Sequence, residues 1–197
     1  FLASNAITDI TPLTHLPTLP ALDISHNRVD DITPLQGTHK LTWLNASNNQ
    51  IADVVPLAAC TYLSQLNLSD NLIRDVAPLY SLTSLRTLNL SANRIITLAA
   101  LPPGALPHLH TLNIAANNLG DIGEIAHLHG LQNLNLSENP LTSLDGIQHL
   151  QSLRTLYLWH ADITEIKERE AVLKKSELLH RQLLEALPDA ITIHVDG

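Results

Sequence analysis

The chain contains few of the residues that build cross-links, phosphate loops or aromatic cores. Its 197 residues include one cysteine, no methionine, seven glycines, two tryptophans, three tyrosines and one phenylalanine. The single cysteine, Cys60, excludes an intrachain disulfide, and its place in an apolar pattern predicts a small buried residue. No apolar run approaches the roughly 18 residues that a membrane-spanning helix needs. The formal net charge of −8 argues against nucleic acid, so we expect neither a membrane nor a nucleic-acid partner.

Residue patterns typical of active sites and metal sites are also missing. Eleven histidines are present, but none has the His-Glu-x-x-His spacing and none has a cysteine partner. There is no glycine-rich phosphate loop and no serine in a nucleophile-elbow context. The acidic residues Asp23, Asp70 and Glu138 are spread widely along the chain and form no acid–base pair. The sequence therefore predicts no catalytic residue, no metal ligand and no cofactor.

What the chain does contain is asparagine at a nearly fixed interval. The successive intervals are 22, 22, 22, 22, 24 and 22 residues. The asparagines are Asn5, Asn27, Asn49, Asn71, Asn93, Asn117 and Asn139. Apolar residues recur at the same offsets from each of them. Such a register is that of a stack of near-identical units, and stacks of this kind mostly present binding surfaces.

Each unit follows the pattern L-x-x-L-x-L-x-x-N. The period-two alternation in its middle predicts one short strand per unit, and successive strands should pair in parallel about 4.8 Å apart. The buried residues at the strand centres are expected to be Leu22, Leu44, Leu66, Leu88, Leu112, Leu134 and Leu156. The asparagine that follows each strand should satisfy backbone groups in the bend.

The second half of each unit returns along the opposite, convex side. Prolines recur there every 22 residues, at Pro12, Pro34, Pro56 and Pro78. Because proline removes a backbone donor, we expect short 3₁₀ or extended turns rather than long α-helices. The two extra residues of the 24-residue interval fall around 102–104, where Pro-Pro-Gly predicts a bulge on the convex side.

Two regions are predicted, 1–166 and 167–197. The first holds about eight repeats, of which the first is truncated in mid-strand, so the natural protein is expected to continue upstream. In the second region, apolar residues at helical spacing predict a capping helix that ends at Pro188. Ile191, Ile193 and Val195 alternate as a last strand.

These columns resemble the 22-residue subfamily of leucine-rich repeat proteins. Its members include a phosphatase-1 regulatory protein, proteins of ciliary axonemes and bacterial internalins. The segments 180–181, 187–188 and 195–197 resemble the C-terminal cap of intracellular eukaryotic members. The resemblance implies an α/β solenoid: a horseshoe with a parallel β-sheet on the concave face and 3₁₀ or extended turns on the convex face. Extracellular members usually carry disulfide-bonded caps, so the lone cysteine favours a reducing, intracellular compartment.

The solvent side of the strands is the predicted protein-binding face. Its central column holds Phe1, Asp23, Asn45, Asn67, Asn89, Asn113, Asn135 and Tyr157. Aromatic residues stand near its two ends: Trp43 at one, and Tyr157, Trp159 and His160 at the other. Trp and Tyr are common interface hot spots, and Asp70 lies beside this face. Two alternatives stay open: the amides hydrogen-bond to one another along the strands, and Trp159 packs beneath the capping helix.

The sequence thus predicts a non-catalytic scaffold or adaptor within a larger assembly, located in the cytoplasm or on the cytoskeleton. Resemblance favours a structural component of a ciliary or flagellar axoneme. A phosphatase regulatory subunit is the first alternative. Others are a substrate-recruiting domain of a larger enzyme and a surface adhesion protein of the internalin kind.

Overall fold

The computed structural model describes residues 1–98 and 101–160, together with the backbone of 192–194. Its strands form a single parallel sheet whose spatial order is the order of the sequence. The strands are β1 Ala21–Asp23, β2 Trp43–Asn45, β3 Gln65–Asn67, β4 Thr87–Asn89, β5 Thr111–Asn113, β6 Asn133–Asn135, β7 Thr155–Tyr157 and β8 Thr192–His194. The α/β solenoid expected from the sequence is confirmed, with one strand per repeat.

Strand register follows the repeat without any slip. Ala21 pairs with Trp43, Leu22 with Leu44 and Asp23 with Asn45, and in every later pair from β2 to β7 first, middle and last residues pair in the same way. The middle residue of β1 to β7 is buried while its neighbours are not. Because alternate residues of a strand face opposite sides, one side of the sheet covers the aliphatic core and the other faces solvent.

The last strand pairs in parallel with β7. Its three residues fall inside the alternating segment that predicted a final strand, so that part of the C-terminal prediction is confirmed. The capping helix predicted before it lies outside the described residues.

Short 3₁₀ helices return the chain on the convex side. They are η1 Thr11–His15, η2 Thr33–Gly37, η3 Val55–Ala59, η4 Ala77–Ser81, η5 Gly123–His127 and η6 Ile147–His149. Proline occupies the first turn of η1 to η4, where its missing donor costs nothing. The prediction of short 3₁₀ turns is confirmed.

A column of aspartates, not predicted from the sequence, precedes the helices η1 to η5. In each case Oδ1 accepts a hydrogen bond of 2.7–2.9 Å from the backbone N–H two residues later. The residues are Asp9, Asp31, Asp53, Asp75 and Asp121. The bonds from Thr11 and Thr33 lower the pKa values of Asp9 and Asp31. This column has a structural role at the start of η1 to η5.

The 24-residue repeat departs from the others at its convex side. Its described residues 101–110 form turns instead of a 3₁₀ helix, and Gly104 (φ 82°) and Leu106 (φ 49°) adopt left-handed conformations. Tyr80 of η4 donates a 3.1 Å hydrogen bond to the Leu98 carbonyl. The bulge predicted around 102–104 thus lies where the backbone changes, and Tyr80 ties it to the preceding repeat.

The asparagine of each repeat links two repeats by hydrogen bonds. The set consists of Asn27, Asn49, Asn71, Asn93, Asn117 and Asn139, here termed the turn asparagines. Asn71 donates from Nδ2 to the carbonyls of Ala46 (3.0 Å), Leu68 (3.1 Å) and Ser69 (3.1 Å). Its Oδ1 accepts from the N–H of Ile51 at 3.0 Å. The predicted role in satisfying the bend is confirmed, and the same side chain also holds the preceding repeat.

The residue just before each of these asparagines has a positive φ, and so have Ser4 and His160 at the equivalent positions of the first and last repeats. These left-handed residues are Ser4, His26, Asn48, Asp70, Ala92, Ala116, Glu138 and His160, with φ between 50° and 58°. We refer to them as the left-handed column. They turn the chain from the strand into the asparagine bend once per repeat, along the edge where the strands end.

Candidate protein-binding face

The central column of the sheet, Asp23 to Tyr157, runs along the solvent side of the strands. All seven of its residues are partly exposed. Five of them are the asparagines Asn45, Asn67, Asn89, Asn113 and Asn135, here termed the ladder asparagines. The structure therefore places the predicted central residues in one continuous row, one per strand.

Each ladder asparagine bonds to its own repeat and not to its neighbour in the row. Its Oδ1 accepts from the backbone N–H two residues later, at 3.0–3.3 Å. In the repeats of Asn45 and Asn89 the serine hydroxyl also donates to this oxygen, at 2.8 and 2.9 Å. The expectation that these amides hydrogen-bond side by side along the strands is wrong, because the Oδ1 of each amide accepts from the backbone N–H two residues later instead.

The Nδ2 groups of the ladder asparagines have a different role from their Oδ1 atoms. Within the described ranges, no hydrogen bond of these five Nδ2 groups is present, and every side-chain nitrogen or oxygen that is both buried and described has a partner. The five amide donors therefore reach solvent. They form a row of uncharged donors along the middle of the sheet.

Aromatic pairs mark both ends of the row. Phe1 and Trp43 meet edge to face with ring centroids 6.2 Å apart. Tyr157 and Trp159 do the same at 5.8 Å. Trp159 is 46% exposed, and the alternative that it packs beneath the capping helix concerns residues outside the described ones. Such edge-to-face pairs are favourable arrangements of aromatic rings.

Phe1 stands in the central column predicted from the sequence, but it was not among the residues predicted to bind a partner. It contacts Trp43 across the intervening strand β1, whose residue beside Trp43 is the small Ala21. The strand register could have indicated this contact, because the small Ala21 beside Trp43 leaves room for an aromatic ring from the preceding repeat. The N-terminal anchor is thus a pair rather than one tryptophan.

A shallow depression of about 260 Å³ lies between β2 and β4 on the same side. Its walls are Trp43, Gln65, Thr87 and three ladder asparagines, Asn45, Asn67 and Asn89. Leu44 and Leu66 contribute to its base. The lining carries no charged side chain, so the depression suits an uncharged segment that hydrogen-bonds and contacts an indole ring.

Three other residues predicted for this face, Asp23, Asp70 and His160, do not line the depression. Asp23 belongs to β1, and its Oδ1 accepts from the N–H (2.9 Å) and the hydroxyl (2.6 Å) of Ser25. Asp70 and His160 are exposed members of the left-handed column. The structure therefore places these two at the edge of the sheet and not among the ladder asparagines.

The described residues also bear on metal binding, membrane insertion and thiol chemistry. No group of three or more His, Cys, Asp and Glu side chains is arranged to hold a metal ion there. No described helix is long and apolar enough to cross a membrane. Cys60 is buried, and its thiol lies 3.5 Å from the Leu35 carbonyl; burial raises the pKa of this thiol.

Two models of leucine-rich repeats match the sequence. The model for two-copy leucine-rich repeats matches residues 39–81 and 83–127, and a second leucine-rich repeat model matches 107–163. Together they span more than half of the chain. No curated protein matches the sequence.

Solved structures of repeat proteins are similar to this one. The internalin InlF of Listeria monocytogenes is 34% identical with a TM-score of 0.72, over 77% of this chain and 45% of that one. Internalin C2 of the same organism is 24% identical with a TM-score of 0.78, over 99% and 80%. The plant peptide hormone receptor RGFR1, solved in complex with RGF2, is 25% identical with a TM-score of 0.66, over 77% and 26%.

The chain thus spans less than half the length of InlF and about a quarter of the plant receptor. Repeats of this kind are typically non-catalytic interaction domains that bind other proteins. The repeat models, the one-strand-per-repeat sheet and these neighbours agree on the family. The chain belongs to the leucine-rich repeat proteins.

Proposed function

We propose that this chain is a non-catalytic scaffold or adaptor that binds a protein on the solvent side of its sheet. The observation that carries the proposal is the continuous row of accessible amide donors between two aromatic pairs. A repeat stack held by linked turn asparagines is stiff, so binding orders few groups and loses little entropy. Aromatic anchors at the ends of the row supply the apolar contacts that dominate such interfaces.

The proposed site comprises the row and its two ends. The anchors are Trp43 at one end, and Tyr157, Trp159 and His160 at the other. Asp23 and Asp70 supply negative charge near the Trp43 end. The plant receptor in complex with RGF2 is a repeat protein of similar structure that is bound to a partner, which supports a partner here.

A pull-down from native lysate tests the proposal. The wild-type domain is compared with a Trp43→Ala, Tyr157→Ala double variant. The matched control is Tyr62→Ala, since Tyr62 is 56% exposed and pairs with Lys40 away from the strand face. Proteins retained by wild type and by the control but lost by the double variant support the strand face. Proteins retained by all three would refute it and move the site to an edge or to the convex side.

The narrower setting rests on the resemblance of the C-terminal segment to caps of intracellular members. On that basis we propose a cytoplasmic or cytoskeletal scaffold, in a ciliary or flagellar axoneme in its most specific form. A phosphatase regulatory subunit is the alternative within the same compartment. Imaging of the tagged natural protein checks both, because a secreted or surface-exposed protein would contradict them.

One observation favours a different setting. The 34% identity to an internalin supports a surface adhesion protein that uses the same strand face. Reading the natural protein upstream of residue 1 separates these settings: a secretion signal would favour adhesion, and a catalytic domain would favour substrate recruitment by a larger enzyme. The division into repeats 1–166 and a cap 167–197 applies to every one of them.

A further inference from the structure

The ladder asparagines present only one half of each amide to a partner. Their Oδ1 atoms are held by backbone N–H groups of their own repeats. Their Nδ2 groups have no partner among the residues that the structure describes and reach solvent. A ligand that lies along this row therefore meets donors and needs acceptors.

Strand β1 shows that the fold does not require the amide. Asp23 occupies the position of a ladder asparagine, and its Oδ1 accepts from the N–H of Ser25 at 2.9 Å. The matching bond in β4, from Ser91 to Asn89, is 3.1 Å long. A carboxylate thus performs the same intramolecular task. What the amide adds at the five other positions is an outward donor and the absence of charge.

The spacing of the donors selects a ligand conformation. Neighbouring parallel strands lie about 4.8 Å apart, so every second ladder asparagine lies about 9.6 Å away. A polyproline II helix repeats every three residues, or about 9.3 Å. A fully extended peptide repeats its carbonyls on one side every two residues, or about 6.6 Å, which matches neither one strand spacing nor two.

We infer that the row binds a proline-rich segment in the polyproline II conformation, lying across the strands. The carbonyl of every third ligand residue accepts from the Nδ2 of every second ladder asparagine. Proline has no N–H, so such a segment brings acceptors and no backbone donors to a face of donors. Its rings pack on Trp43, since polyproline helices are recognised by aromatic-lined grooves. This inference rests on the proposed strand-face function and names its ligand.

The test is a calorimetric titration of the domain with a twelve-residue oligoproline peptide. A glycine–serine peptide of the same length is the control ligand, because it is flexible and carries both donors and acceptors. The variant is Asn67→Asp with Asn89→Asp, which removes one donor from each alternate set. The control variant, Asn118→Asp with Asn48→Asp, makes the same charge change outside the row, and circular dichroism checks that both remain folded.

The expected result is saturable binding of oligoproline by the wild type and the control variant. The Asn67→Asp, Asn89→Asp variant should bind about tenfold or more weakly, because each substitution replaces a donor by a carboxylate facing a carbonyl. The Trp43→Ala variant should weaken binding as well. The glycine–serine peptide should not bind.

Two outcomes would overturn the inference. One is the absence of binding to wild type at peptide concentrations up to about 1 mM, and the other is equal affinity of the row variant and the control variant. Neither outcome removes the strand-face function, which depends on the pull-down with the Trp43→Ala, Tyr157→Ala variant. If a partner is lost by that variant while oligoproline fails, the face is correct and the ligand is of another kind.

Discussion

Removing one turn asparagine tests how the repeats are held together. Asn71 is 5% exposed, its side-chain Oδ1 accepts one hydrogen bond, and the two N–H groups of its Nδ2 are shared among three carbonyls. In Asn71→Ala the N–H of Ile51 loses the one acceptor that it has among the described residues. A buried donor left without a partner costs about 1–3 kcal/mol.

The three carbonyls that accept from Asn71 are less affected by its removal, because each keeps a second donor. These remaining bonds are Asn49 Nδ2 to Ala46 (3.2 Å), Asn93 Nδ2 to Leu68 (2.9 Å) and the N–H of Asn48 to Ser69 (2.9 Å). Their weakening adds about 1 kcal/mol in total, so the free energy of unfolding should fall by about 2–4 kcal/mol.

The matched control is Asn67→Ala, four residues earlier in the same repeat. Asn67 accepts one hydrogen bond, from the N–H of Ser69 at 3.1 Å, at a partly exposed position where water can replace it. Its loss should cost less than about 1 kcal/mol. Urea unfolding followed by far-ultraviolet circular dichroism gives both values. Equal losses for the two variants would refute the assignment of Asn71 as the link between repeats.

A second substitution at the same site separates donor from acceptor. Asn71→Asp keeps the acceptor for Ile51 but places a carboxylate oxygen against the three carbonyls. It should destabilise more than Asn71→Ala at pH 7. Because the native state then favours the protonated carboxyl, its pKa should rise, and the difference from wild type should shrink as the pH falls towards about 4. A milder effect than that of alanine at pH 7 would contradict the donor role.

Three further outcomes are expected from urea unfolding. Leu88→Ala should cost about 2–5 kcal/mol, whereas Asn89→Ala should cost less than about 1 kcal/mol; equal values would mean that the buried and exposed strand positions are misassigned. Gly146→Ala should lower the free energy of unfolding by about 2–3 kcal/mol, because φ is 107° and an added Cβ would lie 3.0 Å from two backbone carbonyl oxygens. Gly120→Ala should be nearly neutral, because the atom nearest to its added Cβ would be 4.0 Å away. Burial, with smaller effects from nearby carboxylates, raises the pKa of Tyr80 to about 12. The stability that this shift contributes is therefore present below about pH 10 and lost between about pH 10 and 12. The Tyr80→Phe variant should lose less stability than wild type across that window, and an equal loss would contradict the shift.

The regular part of the fold could be predicted because the signal repeats. Seven asparagines in one register, with leucines at constant offsets, define the strands and bends without reference to distant contacts. The repeat positions that keep the same residue type from one unit to the next are the buried ones, because packing restricts the residue type there. The place of one short strand in each repeat therefore follows from the spacing, and the recurring prolines predict short 3₁₀ or extended turns on the convex side.

Features that depend on competition between hydrogen bonds could not be predicted in the same way. The ladder asparagines can bond sideways or to their own repeat, and only the geometry of the bend shows that the N–H two residues later is closer. The aspartates that begin the convex turns recur as regularly as the prolines, but their role depends on a backbone conformation that spacing does not specify. The contact between Phe1 and Trp43 depends on which side chain leaves room beside it.

The left-handed column has a consequence for how such a protein can change. The same backbone conformation is held by serine, histidine, asparagine, aspartate, alanine and glutamate, at φ between 50° and 58°. The bend thus accepts each of these six residue types, of which asparagine and aspartate enter the left-handed region most readily. The charge along this edge can therefore be changed by substitution in one repeat at a time while the bend keeps its shape. A stack of this design can acquire a new partner by point substitution, with no insertion and no new core.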